Sequence, residues 1–435
     1  MIFANINNLL PVTTTEILAP YMVVFFVAFV VAIITTPAMR LFATHSGIVD
    51  WPDLKRKSHI EPVAYLGGIA ICLAWTAGIC LSYFLKPDVD LPISIVAGAL
   101  IITFIGMIDD VYGISPRVKI GGQLMAAAML ASQKVGINLV EQIFNIAGIP
   151  THPLVIYILG TTVIAIFVIG GCNSVNLLDG LDGLASGIVA IACFGFLFIA
   201  VTIAPSLQIS AEGDNSFYPI LIVMCLAILG AILGFLPYNF NPANIFMGDA
   251  GSMLLGYLSI ATILLFAEAG PNGPRLVTAA LIVFALPIID TALALFRRTL
   301  RGQPLFSPDN EHVHHQILAA TRRNLKLGPN LSIKFSVVMM YLLAGVFAYL
   351  GCALVSERWR FVVAFFVVIF GFVMVTAYKV GHHQVVLQKL RQAGHFGPQQ
   401  AVPTITSLQD DPTVAHDTQA ADTANSPETP DHKSF

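Results

Sequence analysis

The chain has 435 residues, of which 56% are hydrophobic and only 11% are charged. A soluble domain carries about 25% charged residues, so this chain has too little charge to cover a surface exposed to water. The formal net charge of −3 offers no basic surface for a nucleic acid, and a polytopic helical membrane protein is the class that fits.

Apolar stretches long enough to cross about 30 Å of hydrocarbon recur along the chain. Each must be helical, because lipid offers no hydrogen-bond partners to an open backbone. The predicted fold class is therefore all-α, an integral membrane bundle of about eleven transmembrane helices. The predicted spans are 21–43, 65–85, 93–109, 117–133, 153–171, 184–204, 216–237, 250–267, 276–296, 334–355 and 360–380.

Basic residues set the predicted orientation of these spans. They are concentrated after the first span, in the K-R-K run at 55–57, and after the ninth, between 297 and 326. Both regions are expected on the cytoplasmic side, which puts the N-terminus outside and the C-terminus inside. We predict a transmembrane domain over 1–392 and a disordered cytoplasmic tail over 393–435, because the tail is polar and cannot bury a core.

Polar residues interrupt the apolar sequence in five places, all at cytoplasmic ends of the predicted spans. Because these clusters lie far apart in sequence but on one side, we expect them to converge on one face of the bundle. They are the loop after the first span with Lys57, the Asp109-Asp110 pair with Arg117 and Lys119, the segment Asn173–Gly187, the segment Asn241–Ser252, and Asp290 with the later His312–His315.

Adjacent carboxylates such as Asp109 and Asp110 do not easily share a desolvated position without a cation. The pair therefore indicates a site for a metal or a phosphate, and the nearby Arg117 and Lys119 suit an anionic substrate. A solvated helix end is the alternative interpretation.

The segment Asn173–Gly187 reads N-S-V-N-L-L-D-G-L-D-G-L-A-S-G. Its asparagine and aspartates recur every three residues, a spacing that would place them on one helical face. The glycines at 180 and 183 oppose a regular helix and favour a helix end or tight loop. Amide and carboxylate oxygens suit Mg²⁺, which often binds together with phosphates. A glycine-rich packing turn is the alternative.

Two further clusters carry the same kind of side chain. Asp249 lies between two glycines at the start of a span, which favours a metal site. The histidines lie in a charged loop where zinc is one interpretation, but no cysteine is nearby. We favour contacts to a pyrophosphate or another substrate group, with an exposed surface loop as the alternative, for His312, His314 and His315.

These motifs together resemble the polyprenyl-phosphate N-acetylhexosamine-1-phosphate transferases. The matching elements, in chain order, are D-D, N-x-x-N-x-x-D-G-x-D-G-L, N-I-F-M-G-D-A-G-S and H-x-H-H. The resemblance covers about residues 20–380, and the family's number of spans and external N-terminus agree with the predicted topology.

The resemblance implies a reaction in which a polyprenyl phosphate attacks the β-phosphate of a UDP-N-acetylhexosamine and UMP leaves. It implies Mg²⁺ as the cofactor, with Mn²⁺ as a substitute, and membrane lipid as the surroundings. The implied location is the bacterial plasma membrane, with the active site on the cytoplasmic face. A homodimer is an open alternative to a monomer.

Roles carry over by motif position. Asp109 matches the acid that accepts a proton from the lipid phosphate or positions it, and Asp110 supports the site beside it. Asn176 and Asp249 match the metal ligands. Asp179 matches a further essential acid near the metal.

Other positions match the residues that contact the UDP-sugar donor in this family. Asp182 matches the acid that contacts uracil, and Phe246 matches the ring that stacks on it. Lys119 and Asn173 are further candidates for substrate contact, and Lys57 matches a basic loop more loosely. The residues expected near the phosphates are His312, His314 and His315.

The branch of the family that uses the muramoyl pentapeptide has three consecutive histidines and a P-T-M-G-G-like loop, whereas this chain has H-V-H-H and P-V-A-Y-L-G-G. It is more similar to the branch that initiates O-antigen, common-antigen or teichoic-acid glycans, and UDP-GlcNAc is the leading donor among UDP-HexNAc sugars.

An ion-coupled transporter is the alternative from another class. Its acids are expected near the bilayer midplane rather than at span ends.

Overall fold

The computed structural model describes residues 14–51, 62–85, 93–210, 217–303, 312–325 and 327–355. Helices form nearly all of this part of the chain, and the all-α prediction is confirmed. The predicted eleventh span at 360–380, the predicted tail at 393–435 and the candidate Lys57 lie outside the described residues.

The helices are α1 (Thr14–Leu18), α2 (Met22–His45), α3 (Gly67–Leu85), α4 (Ile93–Tyr112), α5 (Pro116–Ser132), α6 (Ile137–Ile146), α7 (Pro153–Leu178), α8 (Leu184–Ser210), α9 (Phe217–Asn239), α10 (Gly248–Leu265), α11 (Gly273–Val283), α12 (Ala285–Leu300), α13 (Val313–Leu325) and α14 (Pro329–Leu354). Two short strands, β1 (Val49–Asp50) and β2 (Val63–Ala64), pair antiparallel.

Eight helical segments of the described part are long and apolar enough to cross a membrane, and the chain is a multi-pass membrane protein. The α11–α12 pair would be a ninth if it forms one broken span. Helix α5 occupies the predicted span 117–133 but has 17 residues, about 25 Å of helix, which is short for a perpendicular crossing. The number of spans and their orientation stay predictions.

The predicted span 276–296 is not one continuous helix. Helices α11 and α12 meet at Phe284 with a bend of 72°. Pro287 explains the break, because it cannot donate a hydrogen bond to the carbonyl of Val283 and its ring crowds that carbonyl. The bend redirects α12, whose buried face includes Asp290.

Helix α10 lies at the centre of the bundle and packs against α3, α4 and α7. Every residue of α10 is buried except Asp249. The neighbouring backbones approach its first turn so closely that only glycine fits at Gly68 and Gly106. A Cβ at either position would collide with the backbone of Ala250 or Gly251. Small residues at such contacts are the usual means of close helix packing in membranes.

The β ribbon and the start of α3 fix the segment that leads into α10. Ala64 bridges to Ile245, and the Phe246 N–H donates to the Ala64 carbonyl at 2.9 Å. The N–H groups of Gly67 and Gly68 donate to the carbonyls of Phe246 and Met247 at 3.0 and 2.9 Å. These bonds hold the N-I-F-M-G-D motif against α3. The ribbon was not predicted, because two-residue strands leave no periodic pattern.

Candidate active site

Four helix ends bring the predicted polar clusters together. Helix α4 ends just after Asp109 and Asp110, and α5 begins just before Lys119. The last turn of α7 carries Asn176, and the first turn of α10 carries Asp249. The expected convergence is therefore found for these clusters.

An ion-pair bridge joins two of the acids. The Lys119 ammonium contacts Asp109 Oδ2 and Asp249 Oδ2, and all three side chains are partly accessible to solvent. Asp109 Oδ1 also accepts a hydrogen bond from the N–H of Ile114 at 2.8 Å, which fixes the turn between α4 and α5. The bridge places a positive charge between two carboxylates that would otherwise repel each other.

Asp110 has a different function from its neighbour. Its Oδ1 accepts from the N–H of Asp249 at 2.7 Å, and its Oδ2 accepts from the N–H of Ala250 at 3.1 Å. These are first-turn N–H groups of α10, which lack partners within their own helix, and a negative charge there is favourable. Gly248 has φ of 66°, and a Cβ there would collide with the Asp110 carboxylate. Asp110 therefore holds the start of α10 in place.

The two asparagines of α7 make separate contacts. Asn176 Nδ2 donates to Asp249 Oδ1 at 2.8 Å and to Ser252 Oγ at 3.0 Å, so Asn176 belongs to the acidic cluster. Asn173 lies one turn earlier and donates to Gln123 Oε1 at 2.9 Å. Its expected contact with substrate stays a prediction.

The turn between α7 and α8 confirms the predicted helix end. Helix α7 ends at Leu178, and Gly183 adopts φ of 77° before α8 begins. Burial, together with the negative charges of Asp249, Asp110 and Asp182, raises the pKa of Asp179 to about 8. Asp179 therefore holds a proton near neutral pH until a cation approaches.

Asp182 connects this turn to the loop before α10. Its Oδ2 accepts from Asn241 Nδ2 at 2.8 Å and from the Ala243 N–H at 3.1 Å. That loop leads to Phe246, whose ring centroid lies 6.1 Å from that of Tyr65. The predicted contacts of Asp182 and Phe246 with uracil are not tested by this geometry and stay predictions.

The histidines lie at the start of a helix rather than in the predicted loop. His312 directly precedes α13, while His314 and His315 belong to its first turn. His312 is 4% exposed and His314 is 0% exposed, so the alternative of an exposed surface loop is wrong for both. The reason is Asp290, whose Oδ2 lies 2.9 Å from His312 Nδ1 and draws the motif into the protein.

His314 faces the turn that carries Asp179 and Asp182. A Cβ at Gly180 would lie 2.5 Å from His314 Nε2, so a larger residue there would displace the His314 ring. Neither ring nitrogen of His314 has a hydrogen-bond partner within the described part of the chain. Burial, followed by the positive charge of His315, lowers the pKa of His314 to about 3, which keeps the ring neutral.

The donor set fits a hard cation better than zinc. In the described ranges no group of three or more His, Cys, Asp or Glu side chains is arranged to hold a metal ion by itself. The carboxylates of Asp109 and Asp249 and the amide of Asn176 are oxygen ligands of the kind that suit Mg²⁺, which takes few protein ligands when phosphates complete its shell. The carboxylates of Asp109 and Asp249 already stabilise one positive charge, the ammonium of Lys119.

Several residues of the site were not singled out from the sequence. Gln123 and Ser252 bind the asparagines of α7, and both look like ordinary polar residues within apolar helices. Asp290 was predicted to lie in one cluster with the histidines, but its direct contact with His312 was not predicted.

Comparisons with known proteins identify relatives of this chain. The sequence profile described as glycosyl transferase family 4 matches residues 92–267, which contain the acids of α4 and α10. The chain is 32% identical over 339 residues to a probable undecaprenyl-phosphate N-acetylglucosaminyl 1-phosphate transferase of Bacillus subtilis, covering 77% of this chain and 85% of that protein.

Two further relatives have similar names. A decaprenyl-phosphate N-acetylglucosaminephosphotransferase of Mycolicibacterium smegmatis is 33% identical over 74% of this chain and 79% of its own length. An undecaprenyl-phosphate alpha-N-acetylglucosaminyl 1-phosphate transferase of Escherichia coli K12 is 31% identical over 65% of this chain and 72% of its own length.

The different functions of Asp109 and Asp110 can be tested by the same substitution at each. An asparagine at 110 keeps one acceptor oxygen but directs an NH₂ group at a backbone N–H. We therefore expect Asp110→Asn to lower the free energy of unfolding by about 2 kcal/mol. Asp109→Asn keeps the acceptor for Ile114 and loses a partly solvated ion pair, with a cost below about 1 kcal/mol. Thermal unfolding in detergent measures both, and equal losses would contradict the distinction.

Proposed function

The chain belongs to the polyprenyl-phosphate N-acetylhexosamine-1-phosphate transferases of glycosyl transferase family 4, and we propose that it transfers N-acetylglucosamine 1-phosphate from UDP-GlcNAc to undecaprenyl phosphate with release of UMP. The coarser statement, a multi-pass membrane transferase of a sugar phosphate, follows from membership of the family. The donor, the acceptor length and the cofactor are the proposed part.

The bridge from Lys119 to Asp109 and Asp249 is the observation that carries the proposal. Both substrates are anions and repel each other. A positive charge beside the reacting phosphate groups is therefore needed for one to attack the other. The ammonium supplies this charge at the ends of four helices, where a lipid phosphate in the membrane surface can meet a water-soluble nucleotide.

Each residue of the cluster has a definite task in the proposed reaction. An oxygen of the polyprenyl phosphate forms a bond to the β-phosphorus of UDP-GlcNAc, and the bond from that phosphorus to the bridging oxygen breaks. Asp109 orients the attacking phosphate or takes up its proton, while Lys119 neutralises charge that moves onto the leaving UMP. Asp110 keeps the first turn of α10 in register.

Mg²⁺ is the proposed cofactor, and Asp249 and Asn176 are its proposed ligands. When bound, the ion would neutralise the pyrophosphate oxygens and make UMP a better leaving group. Mn²⁺ prefers the same ligands and is expected to substitute.

The donor is proposed to extend from this cluster toward the loop of Asp182 and Phe246, with the histidines beside its phosphates. GlcNAc is favoured because the names of all three relatives specify this sugar. The acceptor is undecaprenyl or decaprenyl phosphate in those names, and we propose undecaprenyl phosphate. The product would begin a lipid-linked glycan of the cell envelope.

The site is proposed to face the cytoplasm of a bacterial plasma membrane. The last turn of α12 carries Arg297 and Arg298, and the last turn of α13 carries Arg322 and Arg323, so positive charge flanks the histidine motif in the chain. Such charge marks the cytoplasmic side of membrane proteins.

Purified protein in detergent, given UDP-GlcNAc, undecaprenyl phosphate and Mg²⁺, should release UMP at a rate that EDTA abolishes. Asp249→Asn should lower this rate at least about 100-fold, because it removes the charge of a proposed ligand. UDP-GalNAc and UDP-MurNAc-pentapeptide should be at least about tenfold poorer donors. If the wild-type protein releases UMP no faster than Asp249→Asn, the proposed reaction is wrong. If another UDP-sugar gives a higher rate than UDP-GlcNAc, the proposed donor is wrong.

Lys119→Met should lower kcat/KM for UDP-GlcNAc at least about 100-fold, because the pyrophosphate loses its positive partner and two carboxylates lose their bridge. Lys134→Met is the matched control, since Lys134 is exposed in the turn after α5, far along the helix from the acidic cluster. A wild-type kcat/KM in Lys119→Met would remove Lys119 from the reaction.

A further inference from the structure

We propose that Asp290 is a positioning residue that fixes the ring orientation and tautomer of His312 and, through that ring, the arrangement of the histidine cluster at the active site. The inference rests on the proposed function, because it assigns a role within the same reaction. Asp290 lies on α12 and is 1% exposed.

Both oxygens of Asp290 bind the start of the histidine motif. Oδ2 lies 2.9 Å from His312 Nδ1, and Oδ1 accepts a hydrogen bond from the Val313 N–H at 2.8 Å. The backbone bond places the first turn of α13, while the side-chain bond sets the rotation of the His312 ring. One carboxylate therefore controls both the position and the orientation of this imidazole.

The chemistry of the contact also determines where the His312 proton lies. An ionised carboxylate only accepts hydrogen bonds, so Nδ1 must carry the proton that faces Asp290. In the neutral ring this leaves Nε2 as the basic nitrogen, which is the arrangement that an orienting carboxylate produces in other histidine sites. An asparagine at 290 would present an NH₂ group or a weaker acceptor and would not enforce this tautomer.

A chain of ring contacts carries the effect to the turn with the acids. The His312 and His314 rings are nearly parallel, with centroids 5.6 Å apart and 11° between their planes. The His314 and His315 centroids are 4.2 Å apart. His314 Nε2 in turn faces Gly180, which lies between Asp179 and Asp182. A shift of His312 would therefore displace the rings that line this turn.

Structural anchoring alone does not require a carboxylate at this position. Burying a charged group is costly, and a neutral acceptor would hold the Val313 N–H at a lower cost. Oδ2 of Asp290 instead contacts the imidazole of His312, which lies among the proposed phosphate contacts. We infer that the negative charge is needed to orient that ring.

The test compares Asp290→Asn with Thr291→Val in the UMP-release assay with UDP-GlcNAc and undecaprenyl phosphate. Asn keeps the volume and one acceptor for Val313. We expect kcat to fall at least about 100-fold while KM for UDP-GlcNAc stays within about threefold. Thr291 is the next residue on α12, and its buried hydroxyl has no partner among the described residues, so its variant should retain wild-type kcat.

A double variant separates positioning from general support of the fold. If Asp290 acts through His312, then His312→Gln and Asp290→Asn should each lower kcat. The double variant should then be within about threefold of His312→Gln alone. If the two reductions in kcat multiply in the double variant, the proposal is overturned. A wild-type kcat in Asp290→Asn would overturn it as well. If Asp290→Asn does not fold, a wild-type kcat in His312→Gln would overturn it. An inactive wild type would instead refute the proposed function.

Discussion

The position of the active-site acids depends on how the first turn of α10 is held. Asp110 accepts hydrogen bonds from two N–H groups of that turn, and the backbones of α3 and α4 touch it where Gly68 and Gly106 have no side chain. Asp249 is the residue of α10 that this arrangement leaves accessible. A displacement of the turn would move Asp249 away from Asn176 and Lys119 together.

The charges of the site are organised by the same constraint that shapes the bundle. Lipid offers no partner to a polar group, so polar side chains lie at helix ends and bind one another. Lys119 offsets two carboxylates, Asn176 donates to one of them, and Asp179 keeps a proton at neutral pH. The cluster is thus prepared for an added positive charge and an anionic substrate, which is the combination that transfer of a sugar phosphate needs.

Much of this arrangement could be predicted from the sequence, because membrane helices leave a strong signal. The apolar runs identified the helices, and the D-D, N-x-x-N-x-x-D and M-G-D motifs identified the residues that meet at the site. Glycines correctly indicated the helix end at Leu178. The break at Phe284 was missed although Pro287 marks it, because the apolar run continues through it without a change in composition.

Other features depend on tertiary contacts that no local pattern records. The two acids at 109 and 110 are indistinguishable in sequence, yet one faces Lys119 and the other caps α10. The histidines read as part of a charged loop, but Asp290, twenty-two residues earlier than His312, draws them into the protein. The β ribbon is too short for a periodic signal, although it fixes the segment with Phe246.

The central claim is that the pyrophosphate of the donor binds where Lys119 now bridges Asp109 and Asp249. The most direct measurement is an experimental structure of the protein with UDP-GlcNAc and Mg²⁺. We expect the pyrophosphate within hydrogen-bond distance of Lys119 Nζ, and Mg²⁺ bound by Asp249. A donor bound elsewhere, with the bridge intact and no ion at Asp249, would contradict it.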